Sequence, residues 1–226
     1  KFTEKIMRAF NLPDEFIKWV SMAFQSSQMQ LKINGYLTDP FSMDGGGKQG
    51  DPLYPFVFIM VMTAMAAQIE MDDDIQGIKL SHCDTKVKTF QYADDCPYLI
   101  GAPEDLAIIR AKITHFCLAS GMKTNDEKTE ILLLGPWSTS PPQALVDSGF
   151  KLVKQKDTAK VLGIKLGPSN SHVVNWSHVC AKMRKFISTN SSKRLTLNGK
   201  IIVANACIIS QAIFVATHQH SDPTTL

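Results

Sequence analysis

The sequence has few cysteines, and nothing in their pattern indicates a disulfide framework. The five cysteines are an odd number, no two of them form a C-x-x-C pair, and the chain shows no secretory leader. These features argue against a secreted, disulfide-stapled protein. We therefore expect a reducing compartment, the nucleus or the cytoplasm.

The spacing of a zinc site is also missing. Closely spaced histidines and cysteines occur in three pairs, His115/Cys117, His178/Cys180 and His218/His220. No two pairs combine at the spacing that a four-ligand zinc site requires. We interpret these residues as core or surface positions.

The sequence lacks an uninterrupted apolar run of the roughly 18 to 20 residues that a membrane-spanning helix needs. The longest apolar runs are residues 56–69 and 201–216, and the second contains Asn205, Ser210 and Gln211. We expect both runs to form buried helices, and we expect no membrane partner.

A strong net charge is absent too, but the charge is unevenly distributed. The 226 residues carry a formal net charge of only +3. Residues 170–226 contain six basic residues and one acidic residue, which leaves 18 basic and 20 acidic residues in the rest of the chain. A basic segment of this kind suits contact with a phosphate backbone. A solvated helix face would have the same composition, so both interpretations stay open.

The glycine-rich segment 44–55 does not fit a Walker A phosphate loop. Gln49 stands where that motif needs serine or threonine directly after the lysine. A helix start fits better, because Asp51 can cap a helix and Pro52 suits its first position. Gly50 would let a nucleotide or another chain approach the backbone closely.

An acidic pair interrupts two runs of strand-forming residues, 89–92 and 98–100. Ala93 is followed by Asp94 and Asp95, which break the run in the manner of a turn. The pattern predicts a β-hairpin with carboxylates at its tip. Carboxylate oxygens suit Mg²⁺, so the pair could hold a divalent cation. An ordinary solvated turn is the alternative.

The remaining chain predicts a mixture of helices and short strands. Asn34 and Gly35 form a favoured two-residue hairpin turn. One helix is expected to open at residues 103–105 and to end at Gly121, and a later helix carries Trp176 on its apolar stripe. Further strands are expected at residues 129–134, 151–153 and 161–166.

Four motifs follow one another in order along the chain. They are Gly47-Lys48-Gln49-Gly50-Asp51-Pro52-Leu53, Tyr92-Ala93-Asp94-Asp95, Ser120-Gly121-Met122-Lys123-Thr124-Asn125 with Lys128-Thr129-Glu130, and Val161-Leu162-Gly163-Ile164. In this order and spacing they resemble the reverse transcriptases of non-LTR retrotransposons. The resemblance covers almost the whole chain.

The resemblance implies an α+β fold with the parts of a right-hand polymerase. Residues 1–169 would form a partial palm, an antiparallel sheet with helices packed on one face, and residues 170–226 a helical, thumb-like segment. The implied function is RNA-directed DNA polymerase, with an RNA template, a DNA primer and dNTPs as partners. No sequence pattern sets the oligomeric state.

The same resemblance assigns the residues of a two-metal site. In that family the Tyr-x-Asp-Asp hairpin binds Mg²⁺ for nucleotidyl transfer. By this match Asp94 is a metal ligand and Asp95 its lesser partner, with Mn²⁺ as a possible substitute. Gln49, Gly50 and Tyr92 are expected to border the incoming nucleotide and the template.

Three further assignments follow from the resemblance. Lys128 is expected to donate a proton to the leaving pyrophosphate or to support the site electrostatically, and a plain surface lysine fits equally well. Leu162 and Gly163 belong to the primer grip. The residues expected to follow the nucleic-acid duplex are Lys182, Arg184 and Lys185.

The sequence also departs from the family pattern. Tyr54 stands where the family usually has serine, Gly47 where a bulkier residue is common, and Pro97 at the start of a strand that normally donates hydrogen bonds. The family's first metal-binding aspartate lies upstream of the region that matches residues 2–10. We therefore expect this chain alone not to polymerise efficiently, and a non-catalytic nucleic-acid-binding remnant or a degenerate fragment is the alternative.

Overall fold

The computed structural model describes residues 1–25, 28–42, 46–47, 50–80, 85–154, 157–167 and 171–219. These residues form α-helices and short β-strands, which confirms the predicted α+β content. The strands are two or three residues long and pair as five separate two-stranded ladders. The chain divides into two compact units, Lys1–Thr124 and Asn125–Leu226.

The first unit contains four helices and six strands among its described residues. Their bounds are α1 Phe2–Ala9, α2 Asp14–Gln25, β1 Gln28–Met29, β2 Lys32–Ile33, β3 Tyr36–Leu37, β4 Phe41–Ser42, α3 Tyr54–Glu70, β5 Ile78–Lys79, β6 Lys86–Val87 and α4 Asp105–Ser120. Strands β1 and β4, β2 and β3, and β5 and β6 pair antiparallel. The turn between β2 and β3 is the predicted Asn34–Gly35 pair, and both residues have positive φ.

The second unit contains the remaining elements. Their bounds are β7 Glu130–Leu132, a 3₁₀ turn Gly135–Ser138, α5 Gln143–Val146, β8 Lys151–Val153, β9 Ala159–Val161, β10 Ile164–Leu166, α6 Ser171–Asn190, α7 Leu197–Val203, a π-helical stretch Ala204–Ile209 and α8 Ser210–His218. Strands β7 and β8 pair in parallel, and β9 and β10 pair antiparallel. The predicted strands 129–134 and 151–153 therefore exist, the first of them shortened.

Helix α3 contributes to all three apolar clusters of the first unit. Val57 packs with residues of α1 and α2, Val61 and its neighbours pack against α4, and Ile69 packs with Ile75 and Ile109. The prediction of a buried helix here holds for one face only, because Phe56 on the other face is 64% exposed. The helix begins at Tyr54, two residues later than expected, so Pro52 lies before the helix and not at its first position.

The C-terminal helix is longer and more exposed than predicted. The helix Leu197–His218 is continuous over 22 residues and is long and apolar enough, by length and composition, to cross a membrane. Val215 is its one buried residue among those described, and it packs with Ile164, Trp176 and Val179. The expectation of a buried helix was therefore wrong. A mostly apolar run does not identify the face that a helix buries, and this helix also contains Asn205, Ser210 and Gln211.

A buried carboxylate ties the start of α4 to two loops. The Asp105 side chain is 1% exposed. It accepts hydrogen bonds from the backbone N–H groups of Gln76 and Gly77 on one loop and of Gly101 and Ala102 on the other, at 2.8 to 3.2 Å. Burial by itself raises the pKa of this carboxyl, but the four backbone donors outweigh burial and hold its pKa below the ordinary value.

Replacing Asp105 by asparagine should lower the free energy of unfolding at neutral pH by about 3 kcal/mol, because the amide turns an acceptor oxygen into a donor that faces backbone N–H groups. The wild-type protein should also lose stability in acid. Since the folded-state pKa of Asp105 is lowered, its stabilisation is complete above the unfolded-state pKa and disappears as the pH falls through the folded-state pKa. Urea unfolding over a series of pH values measures both effects.

The matched control is Glu104→Gln, which changes the exposed neighbour of Asp105 in the same way. It should leave the free energy of unfolding within about 0.5 kcal/mol of the wild type. Equal stability of Asp105→Asn and Glu104→Gln would contradict the anchoring role of Asp105.

Candidate active site

The acidic pair lies at a two-residue hairpin turn, as predicted. Tyr92 and Asp95 exchange both of their backbone hydrogen bonds at 3.0 Å, so Ala93 and Asp94 form the turn between them. Ala93 has a φ of 54°, a conformation that a residue with a side chain adopts at some cost. The tight turn exposes both carboxylates to solvent.

Pro97 interrupts the ladder behind this turn. The Phe90 N–H donates to the Pro97 carbonyl at 3.0 Å, but a proline has no N–H with which to return the bond. The structure accordingly shows isolated bridges, Thr89 with Tyr98 and Tyr92 with Asp95, and not strands. The prediction of continuous strands over residues 89–92 and 98–100 was therefore wrong, although the hairpin itself is formed.

Side-chain hydrogen bonds fix the first arm of the hairpin to the end of α3. Oε1 of Glu70 accepts hydrogen bonds from the backbone N–H groups of Lys88 and Thr89 at 3.0 and 2.8 Å. In return, the buried Lys88 ammonium group donates to the carbonyls of Glu70 and Asp72 at 2.9 and 2.6 Å. A cation suits the C-terminal end of a helix, where carbonyl groups lack partners. We call this reciprocal set the Glu70–Lys88 clamp.

The residues beside the carboxylates pack into the core beneath the hairpin. Gln91 donates to the Met62 carbonyl at 3.0 Å and contacts Sγ of Cys96 at 3.7 Å. Burial raises the pKa of the Cys96 thiol, and the charges of Asp94 and Asp95 raise it further. Because the thiolate is the reactive form, the raised pKa disfavours a reactive Cys96, and its side chain packs against the apolar cluster of Val61.

The chemistry of the hairpin tip suits Mg²⁺ only in part. Asp94 and Asp95 offer the hard oxygen ligands that this ion prefers. In the part of the chain that the structure describes, no three acidic, histidine or cysteine side chains are grouped so as to hold a metal ion. The other coordination positions would need water, nucleotide phosphates or a further carboxylate.

The glycine-rich segment leads into the N-terminus of α3. Gln49 lies outside the described residues. Gly50 has a φ of 92°, and among the described residues no atom lies within 4 Å of the position that a side chain there would take. Oδ1 of Asp51 accepts hydrogen bonds from the N–H groups of Leu53 and Tyr54 at 2.8 and 3.1 Å, in the turn that precedes the helix. The N-cap position itself is Leu53, so the prediction of Asp51 as the cap was wrong by two residues.

Lys128 lies in the second unit, in a turn that precedes β7. Its backbone N–H donates to the carbonyl and to Oδ1 of Asn125 at 3.1 and 3.2 Å, and its side chain is exposed. The structure fixes the backbone of this residue, and the role of its ammonium group stays a prediction.

The predicted primer grip is a hairpin, whereas the sequence pattern predicted a continuous strand over residues 161–166. Leu162 and Gly163 form the turn between β9 and β10, with φ values of 48° and 90°. Two positive φ values are typical of the type I′ turn that joins short antiparallel strands. A side chain at Gly163 would lie 3.2 Å from the ring of Phe214, so α8 packs closely on this turn.

Asn175 on α6 ties the grip hairpin to the helical segment, and the sequence analysis missed it. Its Oδ1 accepts from the Lys165 N–H at 2.9 Å, and its Nδ2 donates to the Lys165 carbonyl at 2.7 Å. Nδ2 also donates to the Ser171 carbonyl and to Oε1 of Gln219. The signal was present in the sequence as an amide directly before the buried Trp176, on the face of α6 that packs into the core.

The basic residues of α6 are divided between two faces of the helix. Lys182 and Lys185 line an open groove together with Phe186, Thr189, Asn190 and Gln211. Arg184 is two positions from Lys182, which places it roughly 200° around the helix and away from the groove. The structure therefore brings together two of the three predicted nucleic-acid-binding residues.

Comparison with known proteins identifies the same family over most of the chain. Residues 1–166 match the family described as reverse transcriptase (RNA-dependent DNA polymerase). The Pol polyprotein of the type-2 retrotransposable element R2DM of Drosophila melanogaster is 27% identical over 54% of this chain and 11% of its own length. That of the type-1 element R2 of Popillia japonica is 25% identical over 55% of this chain and 20% of its own length.

A third relative covers more of the chain. The transposon TX1 uncharacterized 149 kDa protein of Xenopus laevis is 23% identical over 91% of this chain and 16% of its own length. The chain thus spans a fifth or less of each of these three relatives.

Glu70→Ala should lower the free energy of unfolding by about 2 kcal/mol, because it leaves the N–H groups of Lys88 and Thr89 without their acceptor. Glu70→Gln keeps an acceptor oxygen and should lose less than half as much. In the alanine variant, amide hydrogen exchange should become faster at Lys88 and Thr89 than in the wild type, and by a larger factor than in α4. Equal losses in both variants, or unchanged exchange at these two amides, would contradict the clamp.

Proposed function

The chain belongs to the reverse transcriptase (RNA-dependent DNA polymerase) family, and from that premise we propose that it is the palm and thumb portion of a non-LTR retrotransposon polymerase. The substrates would be an RNA template, a DNA primer and dNTPs. The retrotransposon type is supported by the names of the R2 relatives. The observation that carries the proposal is the exposed Asp94–Asp95 turn inside the region that matches the family.

We assign the metal ligands to the tip of this hairpin. Asp94 would hold Mg²⁺ or Mn²⁺, with Asp95 as the lesser partner. Bound there, the cation would lower the pKa of the primer 3′-hydroxyl group and neutralise charge on the triphosphate. The Glu70–Lys88 clamp would keep the hairpin in place as charge accumulates at its tip, because its hydrogen bonds fix the backbone of Lys88 and Thr89, six and five residues before Asp94.

We assign roles to the remaining predicted residues one by one. Gly50, with Gln49 and Tyr92, would border the nucleotide and the template, and the open space at Gly50 supports a close approach of the ligand. Lys128 would protonate the leaving pyrophosphate or lower its negative potential. Leu162 and Gly163 would contact the primer. The nucleotide addition itself joins the primer 3′-oxygen to the α-phosphorus and releases pyrophosphate.

We retain the division into palm, residues 1–169, and thumb, residues 170–226. The compact units divide earlier, between Thr124 and Asn125. Asn175 and Ile164 join the β9–β10 hairpin to α6 within the second unit, so a piece of the proposed palm packs with the proposed thumb.

This chain by itself would polymerise poorly. Two divalent ions would need more ligands than Asp94 and Asp95 supply, and the described residues group no third acidic, histidine or cysteine side chain with them. The chain also spans a fifth or less of its three relatives, so the activity of a whole polymerase remains a proposal for it.

A second candidate function is nucleic-acid binding without catalysis. The α6 groove supports it, because Lys182 and Lys185 place two charges along one groove beside the apolar ring of Phe186. This function would not require Asp94.

Primer extension on an RNA template, in Mg²⁺, tests the catalytic proposal. The 226-residue chain should show at most weak extension, and Asp94→Asn should reduce it by a further factor of about 100 or more, because metal-ligand loss costs several kcal/mol of transition-state stabilisation. Asp95→Asn should cost less. The exposed Asp73 provides a control, since Asp73→Asn should change nothing. If Asp94→Asn leaves primer extension intact, the proposed metal site is contradicted. If the wild-type chain extends primers robustly and Asp94→Asn abolishes this, the expectation of weak activity is contradicted.

Binding of an RNA–DNA duplex, followed by fluorescence anisotropy over a range of salt concentrations, tests the groove. The double variant Lys182→Gln/Lys185→Gln should bind more weakly and reduce the salt slope by about 2, since each phosphate contact contributes about 1. Arg184→Gln removes one charge from the same helix but from another face. It should therefore weaken binding and lower the salt slope less than Lys182→Gln or Lys185→Gln alone. Absence of binding at low salt would contradict a binding groove. A loss of affinity from Arg184→Gln equal to that from a single lysine variant would contradict it too.

A further inference from the structure

Gly47 lies directly against the ring of Tyr54. A Cβ atom built on Gly47 would be 1.8, 2.0 and 2.2 Å from Cδ2, Cγ and Cε2 of that ring. Non-bonded carbon atoms normally approach to about 3.5 to 4.0 Å. No side chain, not even a methyl group, fits at position 47 while the Tyr54 ring stays where it is.

The backbone conformation does not explain the glycine at position 47. Its neighbours Gly46 and Gly50 have φ values of 78° and 92° and open space around them, so backbone geometry favours glycine there. Gly47 is not among the residues with positive φ. Among the described residues, the three atoms nearest to a side chain at this position all belong to the Tyr54 ring.

The ring of Tyr54 is held from two sides. The ring of Phe24 meets it edge-on, with centroids 6.0 Å apart, and the ring of Phe58 lies 6.2 Å away. Phe24 packs against the cluster that includes Val20, and Phe58 against the cluster that includes Val61. Turning the Tyr54 ring away from Gly47 would therefore give up contacts with two apolar clusters.

We propose that Tyr54 is a positioning residue for the glycine-rich loop, whose ring occupies the space of a side chain at position 47 and fixes the loop backbone against the start of α3. A large residue can then stand at one of the two positions but not at both. The consequence for dNTP binding rests on the proposed function, whereas the steric pairing does not.

Thermal unfolding of the 226-residue chain tests the pairing through a double-mutant cycle. Gly47→Ala should lower Tm by roughly 5 to 10 °C in the wild type, the shift expected for an overpacked site. The same change should cost less than about 2 °C in a Tyr54→Ser background, because the ring that it meets is gone. Equal costs in the two backgrounds would overturn the proposal.

Gly50→Ala is the matched control. It introduces a methyl group into the same loop, at positive φ but in open space. Its cost should therefore be the same with tyrosine or serine at position 54. A Gly50→Ala cost that also falls in the Tyr54→Ser background would show general loosening of the loop and would overturn the specific pairing.

Proton NMR gives a second test that requires no destabilised glycine variant. The Gly47 Hα protons lie against the Tyr54 ring and should be displaced upfield by its ring current in the wild type. Tyr54→Leu should return them toward ordinary glycine values, while the shifts of Gly101, which packs against Gly77, stay unchanged. Ordinary Gly47 shifts in the wild type would overturn the proposal.

Titration of dTTP with Mg²⁺ into the chain bound to an RNA–DNA primer–template separates this proposal from the proposed function. Tyr54→Ser should weaken dTTP binding several-fold by releasing the loop. One outcome is that the cost of Gly47→Ala in Tm depends on Tyr54 and the Gly47 protons show the ring-current shift, while dTTP binding is unchanged in Tyr54→Ser. That combination would confirm the steric pair and contradict the role of the loop in nucleotide binding.

Discussion

Backbone hydrogen-bond groups that leave water need partners, and the short strands of this chain cannot supply them all. Ladders of two or three residues leave the adjoining backbone without a neighbouring strand. Three side chains fill that need in the same manner. Glu70 accepts from the first arm of the acidic hairpin, Asp105 accepts from two loops, and Asn175 pairs with both backbone groups of Lys165. Each is an amide or carboxylate that stands where a strand would otherwise be.

These side chains act at the places where the proposed function needs precision. The Glu70–Lys88 clamp holds the arm that leads to the acidic tip, and Asp105 holds the segment that leaves it. Asn175 holds the strand after the grip turn. A polymerase site has to keep its reacting groups fixed to within a fraction of an ångström, since small displacements cost orders of magnitude in rate. Polar side chains with several hydrogen bonds each are suited to that purpose, and they leave the tip itself exposed to substrate.

Helix α3 unites the first unit because its buried face reaches three apolar clusters. Its two ends serve the candidate site: Asp51 and Tyr54 organise the glycine-rich loop at the N-terminus, and Glu70 holds the hairpin at the C-terminus. Burial of this face therefore connects core stability with the position of the site. The two regions that would meet nucleotide and metal are connected to the two ends of this one helix, whereas the groove of Lys182 and Lys185 belongs to the second unit.

The sequence by itself determined the local features. The Asn34–Gly35 turn, the acidic hairpin turn and the α+β content follow from the preferences of a few adjacent residues, and the order of the four motifs identified the family. Only the tertiary structure decided which distant residues meet: Glu70 with Lys88, Asp105 with two loops, Gly47 with Tyr54, and Lys182 but not Arg184 in the groove. The tertiary structure also decided that the C-terminal helix is exposed. Local preference depends on neighbours along the chain, whereas burial and hydrogen-bond partners depend on which surfaces pack together.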